Sequence, residues 1–267
     1  IGKRLHTPLA SQRQYGLNGI MPRYDFTSQR LFLDHPLKAG EHIDLDRQQA
    51  NYLINVLRLK DGAPVLVFNG LDGEWQAQLE ISGRKKAALR IDHATRDQTP
   101  PYDLHYLFAP LKQARLEYMV QKAVEMGVGE LQPVITQHTQ SRNLNMDRMN
   151  AYVIEAAEQC GILNIASVHQ PITMAALIQD FPENRHLIFC DESEEGHNPL
   201  ELLKSLKPKP VSVLIGPEGG FSEEERAALR ALPQVQPIPL GPRILRADTA
   251  AVAALAMIQA TVGDWLP

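Results

Sequence analysis

Short runs rich in apolar residues fill most of the stretch from 29 to 92, and some of them alternate apolar with polar positions, a pattern typical of short β-strands. The predicted strands cover residues 30–34, 42–46, 65–69, 74–81 and 88–92. One helix interrupts them behind Asp46, a predicted N-cap with Gln49 three residues on. Several short strands and one helix in about 70 residues favour a small β-barrel, the scale of many RNA-binding modules. A barrel that only packs against its neighbour is the alternative.

From residue 104 onward the pattern of apolar positions is different. Apolar runs of strand length alternate with stretches in which apolar residues recur at helical spacing. The predicted strands cover 104–110, 131–135, 186–190, 211–215 and 235–240, and the predicted helices cover 112–126, 147–160, 173–180, 199–206, 223–232 and 249–262. This alternation predicts an α/β domain whose parallel sheet is covered by helices on both faces.

Consecutive prolines within 97–101 predict a linker between the two parts. The sequence therefore divides into an extension or expression remnant at 1–20, a β-barrel domain at 21–96 and an α/β domain at 97–267.

The composition narrows the classes of function. Hydrophobic residues make up 44% of the 267 positions, enough for real cores, and the net charge of −4 argues against a non-specific polyanion binder. Any nucleic-acid contact therefore needs a local basic face. The two cysteines and nine histidines form no metal-binding spacing, so no metal is expected. Two cysteines are too few for a disulfide framework, which favours a cytoplasmic location. No apolar run approaches the roughly 20 residues of a membrane span, so we expect no membrane contact.

The segment LIGPEGGFSEEE at 214–225 joins a predicted strand to a predicted helix through glycines. Its spacing matches neither a phosphate loop nor a dinucleotide-binding turn. Ser222 and Glu225 form a predicted capping box, and three glutamates meet the positive end of the helix dipole, so a phosphate would meet carboxylates. The loop therefore suits a neutral or cationic ligand held by backbone hydrogen bonds, or it is a tight turn without a ligand.

A second glycine turn, LGPRILRADT at 240–249, follows the last predicted strand and leads into an alanine-rich helix. Ligands of open α/β sheets bind beyond the carboxyl ends of the strands. Two such turns in one domain therefore predict a shared pocket.

These two turns together resemble the C-terminal signature of the SPOUT methyltransferases, specifically the ribosomal RNA small subunit methyltransferase E family. The similarity extends to LKQARLEYMVQKAVEMGVGELQPVITQHTQSR (111–142), AAEQCG (156–161), NVLRLKDG (55–62) and MPRYDF (21–26), and so spans residues 21–265.

The resemblance implies an N-terminal PUA-like β-barrel that helps to bind RNA, and a C-terminal SPOUT parallel-sheet domain with a trefoil knot. It also implies S-adenosyl-L-methionine as methyl donor, a homodimer, and methylation of N3 of a specific uridine in 16S ribosomal RNA of the small ribosomal subunit. The alternative is a non-catalytic RNA-binding or ribosome assembly protein with the same fold. A third hypothesis is a nucleotide-phosphate enzyme that uses the glycine loop.

Candidate residues follow from these expectations. The predicted donor-binding residues are Leu214, Ile215, Gly216, Pro217, Glu218, Gly219, Gly220, Leu240, Gly241, Ile244, Leu245 and Arg246. The predicted RNA contacts are Arg23, Arg30, Arg58, Lys112, Arg115 and Arg142. Arg246 is the candidate catalytic residue that stabilises negative charge on the uracil, because its guanidinium is planar and permanently charged. Glu218 is the candidate that accepts the N3 proton or orients the loop, and Glu158 is a weaker candidate.

Overall fold

Two β-sheets with separate hydrophobic cores make up the computed structural model of the protein, which describes residues 28–83, 86–194 and 198–265. The strands of the first sheet are β1 (Arg30–Phe32), β2 (His42–Asp44), β3 (Pro64–Phe68), β4 (Glu74–Gly83) and β5 (Lys86–Arg96). Their order is β1-β3-β4-β5-β2, with β1 parallel to β3 and the other neighbours antiparallel. The predicted extension at 1–20 and Arg23 lie outside the described residues.

One short helical segment covers this first sheet. Helix α1 (Arg47–Asn51) begins at Asp46 with the predicted capping box, in which Asp46 accepts backbone hydrogen bonds from Gln48 and Gln49. The helix continues into a single π-helical turn, Tyr52–Val56, which the sequence did not predict. Buried Ala50 and Leu53 join the core of the sheet.

The second sheet is parallel at every strand pair that the structure describes. Its strands are β6 (Leu104–Phe108), β7 (Glu130–Ile135), β8 (Ser167–Val168), β9 (Ile172–Thr173), β10 (His186–Cys190), β11 (Val211–Ile215) and β12 (Val235–Ile238). The order is β12-β10-β11-β6-β7-β8, and β9 also pairs with β7. All five residues of β11 are buried, as a central parallel strand requires.

Helices cover both faces of this sheet. They are α2 (Gln113–Glu125), α3 (Met146–Cys160), α4 (Met174–Asp180), α5 (Pro199–Lys204), α6 (Glu223–Arg230) and α7 (Ala247–Thr261). The core on one face joins residues of α2, α3, α5 and α7, and the core on the other joins residues of α4 and α6. The predicted α/β class is therefore confirmed. None of the helices in the described parts of the chain has the length and apolar character to cross a membrane.

The two sheets meet through the C-terminal end of α3. Glu158 accepts a hydrogen bond from the backbone N–H of Phe32 at 2.8 Å, and burial raises the pKa of its carboxyl group. Arg96 donates a hydrogen bond of 2.7 Å to the carbonyl oxygen of Gly161. Glu158, the weaker catalytic candidate, therefore lies in the contact between the two sheets.

Arg30, predicted to contact RNA, lies in the same contact. Its side chain is only 6% exposed, and its Nε is 2.8 Å from Oε2 of Glu74, whose other oxygen lies 3.2 Å from Nε of Arg96. The structure thus places Arg30 in a buried ion pair and not on an exposed basic face, and its contact with RNA stays a prediction.

Glu74 is expected to be critical for stability, because it balances the charges of Arg30 and Arg96 in a buried position. Glu74→Gln removes the buried carboxylate that pairs with both arginines, so we expect a loss of about 3 kcal/mol in the free energy of unfolding. Urea unfolding measures this loss. The matched control is Glu80→Gln on the same strand, since Glu80 is 43% exposed where it faces Arg90 and its pair is worth at most about 1 kcal/mol. Equal losses in the two variants would contradict the expectation.

Candidate functional site

A pocket of about 820 Å³ opens where three parallel strands end. Its walls come from the segments that follow β10, β11 and β12 and from the first turn of α7. The volume falls within the usual range for sites that bind a small molecule or cofactor. The position agrees with the rule that open α/β sheets bind ligands beyond the carboxyl ends of their strands.

The wall after β11 is the predicted glycine loop, and its neighbours require glycine. A Cβ atom on Gly216 would lie 2.5 Å from the ring of buried Phe221, and Gly220 has a φ of +68°. The loop ends at the predicted capping box, in which Ser222 Oγ accepts from the Glu225 backbone and Glu225 accepts from the Ser222 backbone. The backbone of the glycine loop therefore faces the pocket without covering side chains. The adjacent N-terminus of α6 is already capped by Ser222 and neutralised by the glutamates of its first turn.

Contacts from two other segments hold this loop in place. Nη1 of Arg115 on α2 lies 3.3 Å from Oε1 of Glu218. The ring Nδ1 of His138 lies 3.1 Å from the carbonyl oxygens of Gly219 and Gly220. The predicted proton acceptor Glu218 is thus joined to Arg115, which was predicted as an RNA contact.

The wall after β10 depends on the buried carboxylate of Asp191. It accepts hydrogen bonds from Arg226, from Arg230 at 2.7 Å and from the backbone and hydroxyl of Ser193. Burial raises the pKa of Asp191, but the hydrogen bonds from Arg230 and Ser193 and the charge of Arg226 outweigh it, so the pKa lies below its ordinary value. The ionised carboxylate therefore ties the end of β10 to α6.

Two acidic side chains and a thiol complete this wall. Glu192 pairs with Arg226 at 2.5 Å and Glu194 pairs with Arg230 at 2.7 Å. Burial raises the pKa of the Cys190 thiol far above its ordinary value. The thiol therefore stays protonated and is a poor nucleophile. No cluster suited to a metal ion is found among the residues that the structure describes.

The segment after β12 forms the third wall and is largely open to solvent. Ile244 lines the pocket and is 96% exposed. Arg246 is the N-cap of α7 and is exposed, and within the described ranges it makes no ion pair. Its guanidinium therefore remains available at the edge of the pocket.

Most of the predicted donor-binding residues come together in the pocket. Those that line it are Ile215, Gly216, Pro217, Glu218, Gly219, Gly220, Leu240, Gly241, Ile244 and Leu245. Leu214 and Arg246 do not line it: Leu214 is fully buried within β11, and Arg246 stands beside the lining residues Leu245 and Ala247. The side chain of Leu214 packs into the core with residues of α4 and α6, so only its main chain could reach the donor, and that contact stays a prediction.

Several lining residues were not predicted from the sequence. They are Cys190, Asp191, Glu192, Glu194, Pro239, Pro242, Arg243, Ala247 and Ala250. The acid-rich Asp-Glu-Ser-Glu run after the third predicted strand of the α/β domain was a usable signal, because it stands at a carboxyl strand end. The pairing of Asp191 with Arg226 and Arg230 on α6 could not be predicted from the sequence, because 35 or more positions separate these arginines from Asp191.

The remaining predicted RNA contacts are dispersed. Arg58, Lys112 and Arg142 are exposed, and Arg115 is partly buried beside Glu218. Lys112 is the N-cap residue of α2. Lys112 and Arg115 therefore lie at the start of the helix that contacts the glycine loop, whereas Arg58 lies on the first sheet's domain.

Comparison with known proteins adds independent findings. Residues 98–259 match the model of an RNA methyltransferase domain, and residues 45–92 match that of an RNA methyltransferase PUA domain. The ribosomal RNA small subunit methyltransferase E of Rickettsia conorii is 31% identical over 234 residues, which are 86% of this chain and 94% of that protein.

Two solved structures resemble the fold over nearly its whole length. One is a ribosomal RNA small subunit methyltransferase E from Neisseria gonorrhoeae bound to S-adenosyl methionine, with a TM-score of 0.78, 28% identity, and coverage of 89% of this chain and 99% of that one. The other is a putative methyltransferase from Legionella pneumophila with the bound cofactor SAM, with a TM-score of 0.77, 29% identity, and coverage of 87% and 97%. The chain belongs to the ribosomal RNA small subunit methyltransferase E family.

Proposed function

We propose that this protein transfers the methyl group of S-adenosyl-L-methionine to N3 of one uridine in 16S RNA of the small ribosomal subunit. The observation that carries the proposal is the pocket at the carboxyl ends of β10, β11 and β12, which offers bare backbone and carboxylates. The family relationship and the donor bound to two similar structures support it.

The pocket suits this donor on chemical grounds. S-adenosyl-L-methionine carries a sulfonium cation, an ammonium group and an adenine with hydrogen-bonding edges. Carboxylates of Glu192, Glu194 and Glu218 line the pocket, and backbone groups of the two glycine turns can read the adenine. The volume of about 820 Å³ accommodates a ligand of this size. The carboxylates thus attract the cationic methionine part of the donor, and main-chain groups form hydrogen bonds with its adenine.

Two competing functions predict different binding. A nucleotide-phosphate enzyme would bind ATP with magnesium in the glycine loop, but the capping carboxylate of Glu225 and the acids of the β10 wall oppose a polyphosphate. A non-catalytic assembly protein would bind the donor without turnover. Isothermal titration with S-adenosylhomocysteine and with magnesium–ATP, followed by methyl transfer to small subunits, separates all three.

The reaction needs charge stabilisation and a route for a proton. The N3 proton of uracil leaves as the methyl group arrives, and negative charge spreads onto O2 and O4. Arg246 is proposed to stabilise this negative charge. Its guanidinium is exposed, makes no ion pair within the described ranges and lies next to the pocket wall. Glu218 is proposed either to accept the N3 proton or to orient the glycine loop, and its ion pair with Arg115 favours the second role. Positioning of donor and acceptor in line supplies further acceleration.

A homodimer is part of the proposal. Helix α7 is apolar around most of its circumference, yet Val252, Ala253, Ala256 and Met257 are only partly buried. A helix that is apolar all round is normally buried on all sides. A second copy packed on α7 would cover this face, and it would also approach Ile244 and Arg246 at the open edge of the pocket.

We further infer the finer features of the fold. The five-stranded sheet is proposed to close as a PUA-like barrel within a domain at 21–96, ahead of a SPOUT domain at 97–267. After β12, at the edge of the second sheet, the chain passes the ends of β10 and β11 to reach α7, which packs on α2. This path supports a trefoil knot. RNA is proposed to contact Arg58, Lys112, Arg115 and Arg142, and a ribosomal substrate implies a cytoplasmic location.

Gly216→Ala is expected to weaken binding of S-adenosylhomocysteine about tenfold or more, because the added Cβ atom would lie 2.5 Å from the ring of Phe221 and displace the loop. Isothermal titration measures the change. Gly83→Ala is the matched control, since no heavy atom lies within 4 Å of its added Cβ. Unchanged affinity in Gly216→Ala would refute the assigned pocket.

Arg246→Ala is expected to leave the affinity for S-adenosylhomocysteine within about twofold and to lower the single-turnover rate constant of methyl transfer about 100-fold, the usual effect of removing one group that stabilises an oxyanion. Single-turnover transfer to small ribosomal subunits gives the rate. Lys204→Ala, which removes an exposed cation at the end of α5, controls for net charge. Parental rates in Arg246→Ala would rule out this role.

Ala253→Glu is expected to convert a dimer into a monomer, since it places a charge on the partly buried apolar face of α7. Light scattering after size exclusion measures the mass. Ala227→Glu adds the same charge at an exposed position of α6 and should leave the mass unchanged. A parent protein that is already monomeric would disprove the dimer.

A further inference from the structure

His138 lies in a turn that follows β7 and contacts the glycine loop. Thr136 and Thr139, both buried, close the turn through a hydrogen bond of 2.9 Å between their hydroxyl groups. Oγ1 of Thr139 also accepts from the backbone N–H of Thr136 at 2.9 Å. The backbone N–H of Gln137 donates to Oε1 of Glu225 at 2.8 Å. These hydrogen bonds fix the turn between β7 and the N-terminus of α6, so the backbone position of His138 is set.

The ring of His138 is held in one tautomer. Its Nδ1 lies 3.1 Å from the carbonyl oxygens of both Gly219 and Gly220. A carbonyl oxygen only accepts hydrogen bonds, so Nδ1 must carry the hydrogen atom. In a neutral imidazole the other nitrogen, Nε2, then has a free lone pair. The side chain is exposed, and Nε2 has no hydrogen-bond partner among the residues that the structure describes. Nε2 is therefore available to accept a proton.

This imidazole lies at the border of the donor pocket. A Cβ atom on Gly219 would lie 3.2 Å from Cβ of His138, whereas a Cβ atom on Gly220 would meet the carboxylate of Glu192. Gly219 and Gly220 both line the pocket, as does Glu192. The glycine loop thus has the acidic wall of the pocket on one side and His138 on the other. One hydrogen bond separates the imidazole from the residues that line the pocket.

Glu218, on the same loop, is the less suitable proton acceptor. Its carboxylate pairs with Arg115 at 3.3 Å, and a neighbouring cation makes a carboxylate bind a proton less readily. An imidazole is intrinsically a stronger base than a carboxylate, and it exchanges protons near neutral pH. Since N3 of uracil must lose its proton during the reaction, an imidazole with a free lone pair meets this requirement better.

We propose that Nε2 of His138 accepts the N3 proton of the target uridine. The electron pair of the N3–H bond stays on the uracil ring, where Arg246 stabilises the negative charge. N3 then forms a bond to the methyl carbon, and the electron pair of the S–CH3 bond stays on the sulfur, which becomes a neutral thioether. The imidazolium afterwards releases its proton to water. The inference rests on the proposed function and deepens it, because it names the group that takes the proton.

His138→Asn separates the role of base from the contact with the loop. The amide Nδ2 of asparagine can donate to the same carbonyl oxygens, but the amide is not a base. We expect the affinity for S-adenosylhomocysteine to stay within about twofold and the single-turnover rate constant of methyl transfer to small ribosomal subunits to fall about 100-fold. Isothermal titration and single-turnover transfer measure these values. The matched control is His93→Asn, which changes an exposed histidine on β5 and should keep both values.

His138→Ala tests the base by chemical rescue. The small molecule 1-methylimidazole has a basic ring nitrogen but no N–H group that could donate to the carbonyl oxygens of Gly219 and Gly220. Its addition should raise the single-turnover rate constant of His138→Ala about tenfold or more. The rate constants of the parent and of Arg246→Ala should not change, because both retain His138.

Parental rates in His138→Asn would overturn the proposal. A loss of donor affinity in that variant as large as its loss in rate would also overturn it, because it would indicate a contact with the loop only. Failure of 1-methylimidazole to restore His138→Ala would contradict it as well. If the parent forms no 3-methyluridine, the proposed function falls together with this inference, whereas an active parent with an equally active His138→Asn variant contradicts this inference alone.

Discussion

The pocket depends on the buried carboxylate of Asp191. By accepting hydrogen bonds from Arg226 and Arg230 it joins the end of β10 to α6, and α6 begins with the capping box that closes the glycine loop after β11. One ionised group therefore fixes two of the three walls relative to each other. Removal of one partner from such a buried pair leaves an uncompensated charge, so this network is costly to break and keeps the backbone of the loop preorganised.

Preorganisation explains how a largely neutral loop can bind a charged donor. The glycines expose backbone groups, the capping box satisfies the start of α6, and Arg115 and His138 restrain the loop from its outer side. The donor then meets fixed dipoles and carboxylates instead of side chains that must first be ordered, which lowers the entropic cost of binding. The wall after β12 is the exception, with Ile244 almost fully exposed. A second subunit would complete the site at that wall.

The sequence predicted the elements well where local chemistry decides them, as at the capping boxes of Asp46 and Ser222. The sequence did not predict features that depend on contacts between distant parts of the chain. The strands β8 and β9 have only two residues each and exist through pairing with β7. Arg30 looked like a surface cation, but the approach of α3 buries it beside Glu74. The glycine turns marked two walls of the pocket, while the Asp191 network joins side chains with no sequence motif in common.

The pocket is proposed to deliver a methyl group to N3 of a uridine in small-subunit RNA. The most direct test is incubation of the purified protein with S-adenosyl-L-methionine and unmethylated small ribosomal subunits, followed by chromatography and mass mapping of the 16S nucleosides. We expect 3-methyluridine at a single position, and at no position when the protein is left out. A methyl group on another atom or another RNA, or none at all despite donor binding, would contradict it.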